Sequence, residues 1–248
     1  MRDKLQSRQE RNILRRLTPP STLIDFSSND YLSLSKSPQL RRRFLSALSG
    51  TDEILGSGGS RLLDGTSSQH ILLESQLASF FNAPTALLFN SGFDANSGIF
   101  SSVPQKGDAI VYDSLIHASV YDGMRASRVG SDLRIPFRHN SPDSLRDKLS
   151  DILESRKAIR EGRSCVFIAV ESLYSMDGDI APLDEYVSIV ESLFPMGNGH
   201  LVVDEAHATG IYGPDGRGIV SMLGLENRIL VRLHTFGKAL ASNGGMCI

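Results

Sequence analysis

A chain of 248 residues fits one large domain or two modest ones, and it is long enough to bury a core without disulfide or metal staples. Hydrophobic residues make up 40% and charged residues 22%, a globular balance that excludes a disordered or fibrous chain. Lys+Arg at 26 against Asp+Glu at 28 leaves a net charge of −2. The chain therefore has no global basic field for nucleic acid or an anionic membrane, and no run approaches the ~18 unbroken apolar residues of a membrane span.

The first residues carry Arg2, Lys4, Arg8, Arg11, Arg15 and Arg16 among Asp3 and Glu10, with Leu5, Ile13, Leu14 and Leu17 suiting a short surface helix that ends at Thr18-Pro19-Pro20. Two acids are unusual in a mitochondrial presequence, and no apolar stretch follows the charges as in a secretory signal. Beyond the Pro-Pro break, strand-like runs read Leu23–Phe26, Thr85–Phe89, Ala109–Tyr112, Asp132–Phe137, Cys165–Glu171, Leu201–Asp204 and Ile229–Leu233. Helical patterns fall between them at Pro38–Leu48, Ser67–Asn82, Ala95–Val103, Ile116–Arg128, Ser141–Arg160 and Leu183–Leu193. The chain enters a further strand near its last residues, Gly244–Ile248. The alternation predicts an α/β domain over 37–248, after an N-terminal helix and lead-in over 1–36. The later strands are continuous apolar runs (VFIAV, LVV, ILVRL), as in a mainly parallel sheet covered by helices on both faces. Cys165 and Cys247 stand far apart in apolar runs and read as buried reduced thiols.

Ligands of such sheets bind beyond the carboxyl ends of the strands. Five successive strand ends here deliver chemically equipped loops: Asn90–Phe93, Asp113–His117, Glu171–Asp179, Asp204–His207 and Thr235–Lys238. Several tempting motifs fail. Asp204-Glu205-Ala206-His207 spells a helicase signature, but the phosphate loop that a nucleotide-driven motor needs is missing. The glycine cluster Gly56–Ser60 lacks dinucleotide spacing. His200 begins a strand that Asp204 and His207 end, about 13 Å away, so no metal site is expected.

One constellation holds. Lys238 is one of six lysines and the sole one after residue 157, set between an apolar strand and the small residues that follow it. Asp204 ends the preceding strand, so a carboxylate and an amine meet in one crevice. Pyridoxal phosphate needs that pair, a lysine for its aldehyde and a carboxylate for its pyridine nitrogen.

The strings FSSNDYL (Phe26–Leu32), GSGGSR (Gly56–Arg61), Ser91-Gly92-Phe93, His117-Ala118-Ser119, ESLYSMDGDIAPL (Glu171–Leu183), VDEAHATG (Val203–Gly210) and TFGKA (Thr235–Ala239) occur in that order. With them the chain resembles the α-oxoamine synthases of the fold-type I pyridoxal-phosphate enzymes, from about Arg8 to its end. The resemblance implies the large domain of that fold, a mainly parallel seven-stranded sheet between helices. It also implies a C-terminal small domain beyond Ile248, so the chain reads as a C-terminally truncated member. Pyridoxal 5'-phosphate would be held as a Schiff base on Lys238, which would also move the substrate Cα proton. Asp204 would pair with the pyridine nitrogen, His207 would bond near the ring hydroxyl, and His117 would stack on the ring. Ser91, Gly92, Phe93 and Thr235 would hold the phosphate, and Ser175 would reach the cofactor. Glu171 shares that loop, where a structural role is equally open. Arg15 (or its neighbour Arg16) and Asn29 would contact substrate.

The implied reaction condenses an amino acid, L-alanine, with a pimeloyl-type acyl-CoA as in biotin biosynthesis, in a cytoplasmic homodimer whose site is shared between subunits; peroxisomal and mitochondrial compartments stay open. A longer acyl chain, a cofactor-binding relative without activity, and an aminotransferase of the same fold are the alternatives. Ser33 and Ala241 stand where the family usually has glycine, and Ile116 where asparagine often precedes the histidine.

Overall fold

The computed structural model describes residues 2–14, 24–52 and 55–248. Seven strands form one sheet: β1 (Leu87–Phe89), β2 (Ala109–Asp113), β3 (Arg134–Phe137), β4 (Val166–Glu171), β5 (Gly199–Asp204), β6 (Val231–Thr235) and β7 (Gly245–Cys247). Their spatial order is β1-β7-β6-β5-β4-β2-β3. The pairs from β6 through β5, β4 and β2 to β3 are parallel, and β7 runs antiparallel between β1 and β6. The expected strand at Leu23–Phe26 is not formed by its described residues. Ile24–Phe26 are irregular and exposed, with no ladder partner to satisfy their backbone, and β7 supplies the seventh strand.

Two helix pairs cover the sheet. Helices α4 (Gly92–Ser102) and α5 (Ala118–Ala126) pack on each other, α4 lying along β1, β6 and β7; α6 (Pro142–Ser155) and α8 (Leu183–Leu193) pack on each other against β2, β3 and β5. All six residues of β4 are buried, which explains its unbroken apolar run. The helix expected over Ser141–Arg160 divides at Arg156, whose extended backbone separates α6 from the short α7 (Lys157–Arg160). The ends of α4 and α5 are also set by chemistry that periodicity cannot see. Ser91 caps α4 by accepting the Asp94 N–H, starting it three residues before the apolar pattern, and His117 caps α5.

Outside this core, α1 (Arg2–Glu10) and α2 (Pro38–Ser49) bury no residue, and α3 (Ser68–Phe80) buries only Ala78. Among the described residues, no helix is long and apolar enough to cross a membrane.

Both positions where glycine was expected are left-handed: Ser33 has φ 52° and Ala241 φ 48°. Ala241 closes the turn that follows Lys238, its N–H donating to the Lys238 carbonyl at 2.9 Å. A side chain in this region costs about 1–2 kcal/mol, while the unfolded freedom of a glycine returns about 0.5–1 kcal/mol. Ala241→Gly is therefore expected to raise the unfolding free energy by about 0.5 kcal/mol, seen as a higher urea midpoint at constant slope. A loss of stability would contradict the strain.

Candidate active site

The parallel register places Glu171 of β4 directly beside Asp204 of β5, and both are almost fully buried. Asp204 accepts at both oxygens, from the Asn96 amide at 2.7 Å and from the Ala206 N–H at 2.9 Å. The same Asn96 nitrogen donates to the Ser119 hydroxyl at 3.0 Å. Ser119 in turn meets Nδ1 of His117 at 2.7 Å. Burial, and then the charge of Asp204, push the Glu171 carboxyl up to about 8, so it holds a proton at neutral pH.

A second chain of hydrogen bonds leads to Lys238. Its Nζ lies 2.8 Å from Nε2 of His207, whose Nδ1 lies 2.8 Å from the Tyr31 hydroxyl, and Tyr31 donates to Asn29 Oδ1 at 3.0 Å. Tyr31 therefore accepts from Nδ1–H, and Nε2 accepts from the lysine. Burial, followed by the neighbouring lysine, pushes His207 down to about 4. Burial also lowers Lys238 from its ordinary value, opposed by Asp204 and Glu171.

At the start of α4, Gly92 lies so close to Thr235 that a Cβ there would stand 3.0 Å from the threonine Cβ and 3.2 Å from its hydroxyl oxygen. Ser91 and Gly244 form a bridge beside it. Phe93 meets the edge of His117 with ring centres 6.1 Å apart. The helix N-terminus and a threonine hydroxyl thus share one small cradle, a setting suited to an anion.

Lys238, His207, Asp204 and His117 are accordingly drawn into two connected networks, with Asn29 joined through Tyr31. Ser91, Gly92, Phe93 and Thr235 gather at the cradle. Ser175 is exposed in the turn after β4 and has no hydrogen bond among the described residues. Arg15 lies outside the described residues. Sequence reasoning missed Asn96, Ser119 and Tyr31 as site residues. Tyr31 and Ser119 stand inside two of the strings that carried the resemblance, and Asn96 is a polar residue on the buried side of α4.

Residues 21–248 match the family model "Aminotransferase class I and II". The chain belongs to that family. It is 55% identical over its whole length to an 8-amino-7-oxononanoate synthase of Emericella nidulans, of which it covers 60%. It is 47% identical over 91% of its length to an aminoacyl transferase sphA of Byssochlamys spectabilis, covering 48% of that protein. A solved serine palmitoyltransferase of S. paucimobilis superposes on 90% of this chain with TM-score 0.76 and 31% identity, with 52% of that chain covered. The chain thus spans between about half and 60% of the length of these relatives. Its fold is the large domain of the fold-type I transferases, and pyridoxal phosphate is the cofactor that this family implies. The residues present fit it: a half-buried lysine, a carboxylate held at the end of the adjacent strand, a histidine bonded to that lysine and the close approach of Gly92 to Thr235 at a helix N-terminus.

One further cluster fixes the Glu171–Asp179 loop. His139 bonds Asp113 through Nδ1 at 2.8 Å and Asp179 through Nε2 at 2.7 Å, and packs edge-on to Tyr174. Burial pushes this imidazole down, but the two carboxylates outweigh it and raise it above its ordinary 6.5. A histidine raised in the folded state lends stability that is complete below the unfolded value near 6.5 and disappears as pH climbs through the folded value. Urea unfolding at a series of pH values is expected to show stability falling as pH rises above 6.5. His139→Gln should make that slope shallower, leaving the part that Glu171 contributes up to about pH 8, and an unchanged slope would remove His139 as a source.

Proposed function

We propose that this chain is the cofactor-bearing part of a pyridoxal-phosphate-dependent α-oxoamine synthase. In this reading it condenses an amino acid, L-alanine first, with a pimeloyl-type acyl-CoA, releasing CoA and CO2 and forming an α-amino ketone, as in biotin biosynthesis. The observation that carries it is the half-buried Lys238 amine bonded to His207 beside the strand that ends in Asp204, in a chain 55% identical throughout to an 8-amino-7-oxononanoate synthase.

Bound pyridoxal phosphate supplies an electron sink for a carbanion at the amino acid Cα. Lys238 holds the cofactor and, with its charge disfavoured by burial, serves as the base that takes and returns the Cα proton. Asp204 would hold the pyridine nitrogen and keep it protonated, so negative charge would have somewhere to go. His117 would pack on the ring, and His207, which already bonds Lys238, would serve the ring hydroxyl. Gly92 and Phe93 offer backbone N–H groups to the phosphate, joined by the Ser91 and Thr235 hydroxyls. Ser175 would reach the cofactor from the turn after β4, and Asn29, with Arg15, would meet substrate.

Residues 1–36 serve as the lead-in and 37–248 as the cofactor domain. The working assembly is a cytoplasmic homodimer. Its support is the apolar side of α2, where Leu40, Phe44, Leu45 and Leu48 are uncovered. A groove of about 1260 Å3 is lined by Gly56, Ser57, Arg61, Asn90, Phe236 and Asn243, and would become the cleft shared with a second subunit. A second reading, a longer acyl chain, draws on the 47% identity to the aminoacyl transferase sphA and the serine palmitoyltransferase fold.

Purified protein mixed with pyridoxal phosphate and reduced with borohydride should carry a phosphopyridoxyl mass on the peptide containing Lys238, and Lys238→Ala should lose it. Added L-alanine with pimeloyl-CoA should release free thiol, and palmitoyl-CoA should do so in its place if the longer chain is right. Labelling without thiol release from any acyl-CoA would leave a cofactor-binding protein and refute the synthase reading.

A further inference from the structure

The bonds around Asn96 have a direction, and it runs from one end of the site to the other. Asp204 Oδ2 offers only an acceptor, so the Asn96 side chain must turn its NH2 group toward it, at 2.7 Å; the opposite amide orientation would set oxygen against oxygen. The second hydrogen of that nitrogen goes to Ser119 Oγ at 3.0 Å. A hydroxyl oxygen that accepts from Asn96 could accept again, so the next contact sets the direction: Ser119 Oγ stands 2.7 Å from a His117 Nδ1 that already accepts a backbone N–H, and gives it its hydrogen. The Ser119 backbone N–H, at 3.3 Å, points to the same nitrogen as the cap of α5. Nδ1 is thus an acceptor twice, and the ring proton stands on Nε2.

Asn96, Ser119 and Asp204 are each more than nine-tenths buried, so water cannot substitute for any link. Helices α4 and α5 supply the middle of the path and β5 its source, so it crosses three elements that sequence keeps far apart: Asn96 is 108 positions from Asp204 and 23 from Ser119.

We propose that Asn96 is a positioning residue. It occupies an acceptor site of the Ser119 hydroxyl, whose hydrogen is left for His117 and supports the Nε2–H tautomer of that ring, while it orients the Asp204 carboxylate. On the functional reading above, on which its consequence for the cofactor rests, one amide therefore sets both the group that faces the pyridine nitrogen and the group that faces the ring.

The relay is measurable on the chain itself. Ring-nitrogen NMR of protein labelled with 15N-histidine, with the His117 signals assigned by His117→Gln, should show a single Nε2–H tautomer in the wild type. Ser119→Ala cuts only the last link and should move His117 to a mixture of tautomers while pyridoxal-phosphate affinity changes less than about threefold. Asn96→Leu should alter the tautomer too and, by freeing Asp204 from a hydrogen bond to a charged group, weaken pyridoxal-phosphate binding by about tenfold. Should Asn96→Leu fail to fold, Asn96→Ser keeps a small polar side chain and removes the reach to both partners. His117 tautomers unchanged in Ser119→Ala and in the Asn96 variant would overturn the relay. Tautomer shifts in a protein that binds no pyridoxal phosphate would support the relay and defeat the cofactor reading instead.

Discussion

A carboxyl group carried to the inner end of a parallel sheet must be met there by donors, because burying it without them costs several kcal/mol. This chain places two such groups in register, Glu171 and Asp204, and most of the site answers to that placement. The two are provided for differently. Asp204 receives two hydrogen bonds, one from the chain that follows it and one from α4. Glu171 has the stronger reason to give up its charge, pushed up to about 8 by burial and by its neighbour. The carboxyl end of the sheet therefore carries one hydrogen-bonded acceptor and one protonated acid. Lys238 feels both carboxyls, yet burial prevails and lowers it. An amine that is easily made neutral, next to a fixed acceptor, is the starting condition for proton transfer at carbon.

The groups with distinctive chemistry were legible in the sequence. Lys238, Asp204 and His207 stand at strand ends, and strand ends could be read from short apolar runs. His117 followed from its string rather than from its position, since a histidine at a helix start is ordinary. Asn96 and Ser119 were not legible, because neither titrates and each matters only through the packing of α4 on α5. His139 titrates but was hidden by distance in sequence: its partners lie 26 and 40 positions away and meet only where β2, β3 and the loop after β4 come together. The failed strand at Leu23–Phe26 marks the opposite limit. Its alternation was suitable, but a strand exists only where a neighbour pairs with it, and β7 had the geometry to pair on both sides.

The two glycine departures show how a local residue choice can bear on the site. Ser33 follows the segment that holds Asn29 and Tyr31, and Ala241 closes the turn beyond Lys238. Both ends of the Asn29–Tyr31–His207–Lys238 chain are thus adjacent to a non-glycine residue in the left-handed region. Strain of this kind persists only where the surroundings over-determine the backbone. Here the hydrogen bonds of Asp30 to Leu34 and Ser35 on one side, and of Ala241 and Ser242 to the lysine loop on the other, do so.

The N-terminal side and the sheet are stabilised by different means. Every group that orients Asp204 comes from the packed core of β5, α4 and α5. Tyr31 and Asn29, which reach His207 from outside, belong to a segment that buries almost nothing. An isolated helix such as α2 gains little from its own hydrogen bonds in water and depends on covering its apolar side. Its neighbours in the lead-in share that dependence. Among the described residues, Tyr31, exposed like α2, is the one hydrogen-bond partner that reaches the Lys238–His207 pair from outside the core. The carboxylate end of the site is held within the core, whereas the amine end, through His207, is also bonded to a residue outside it.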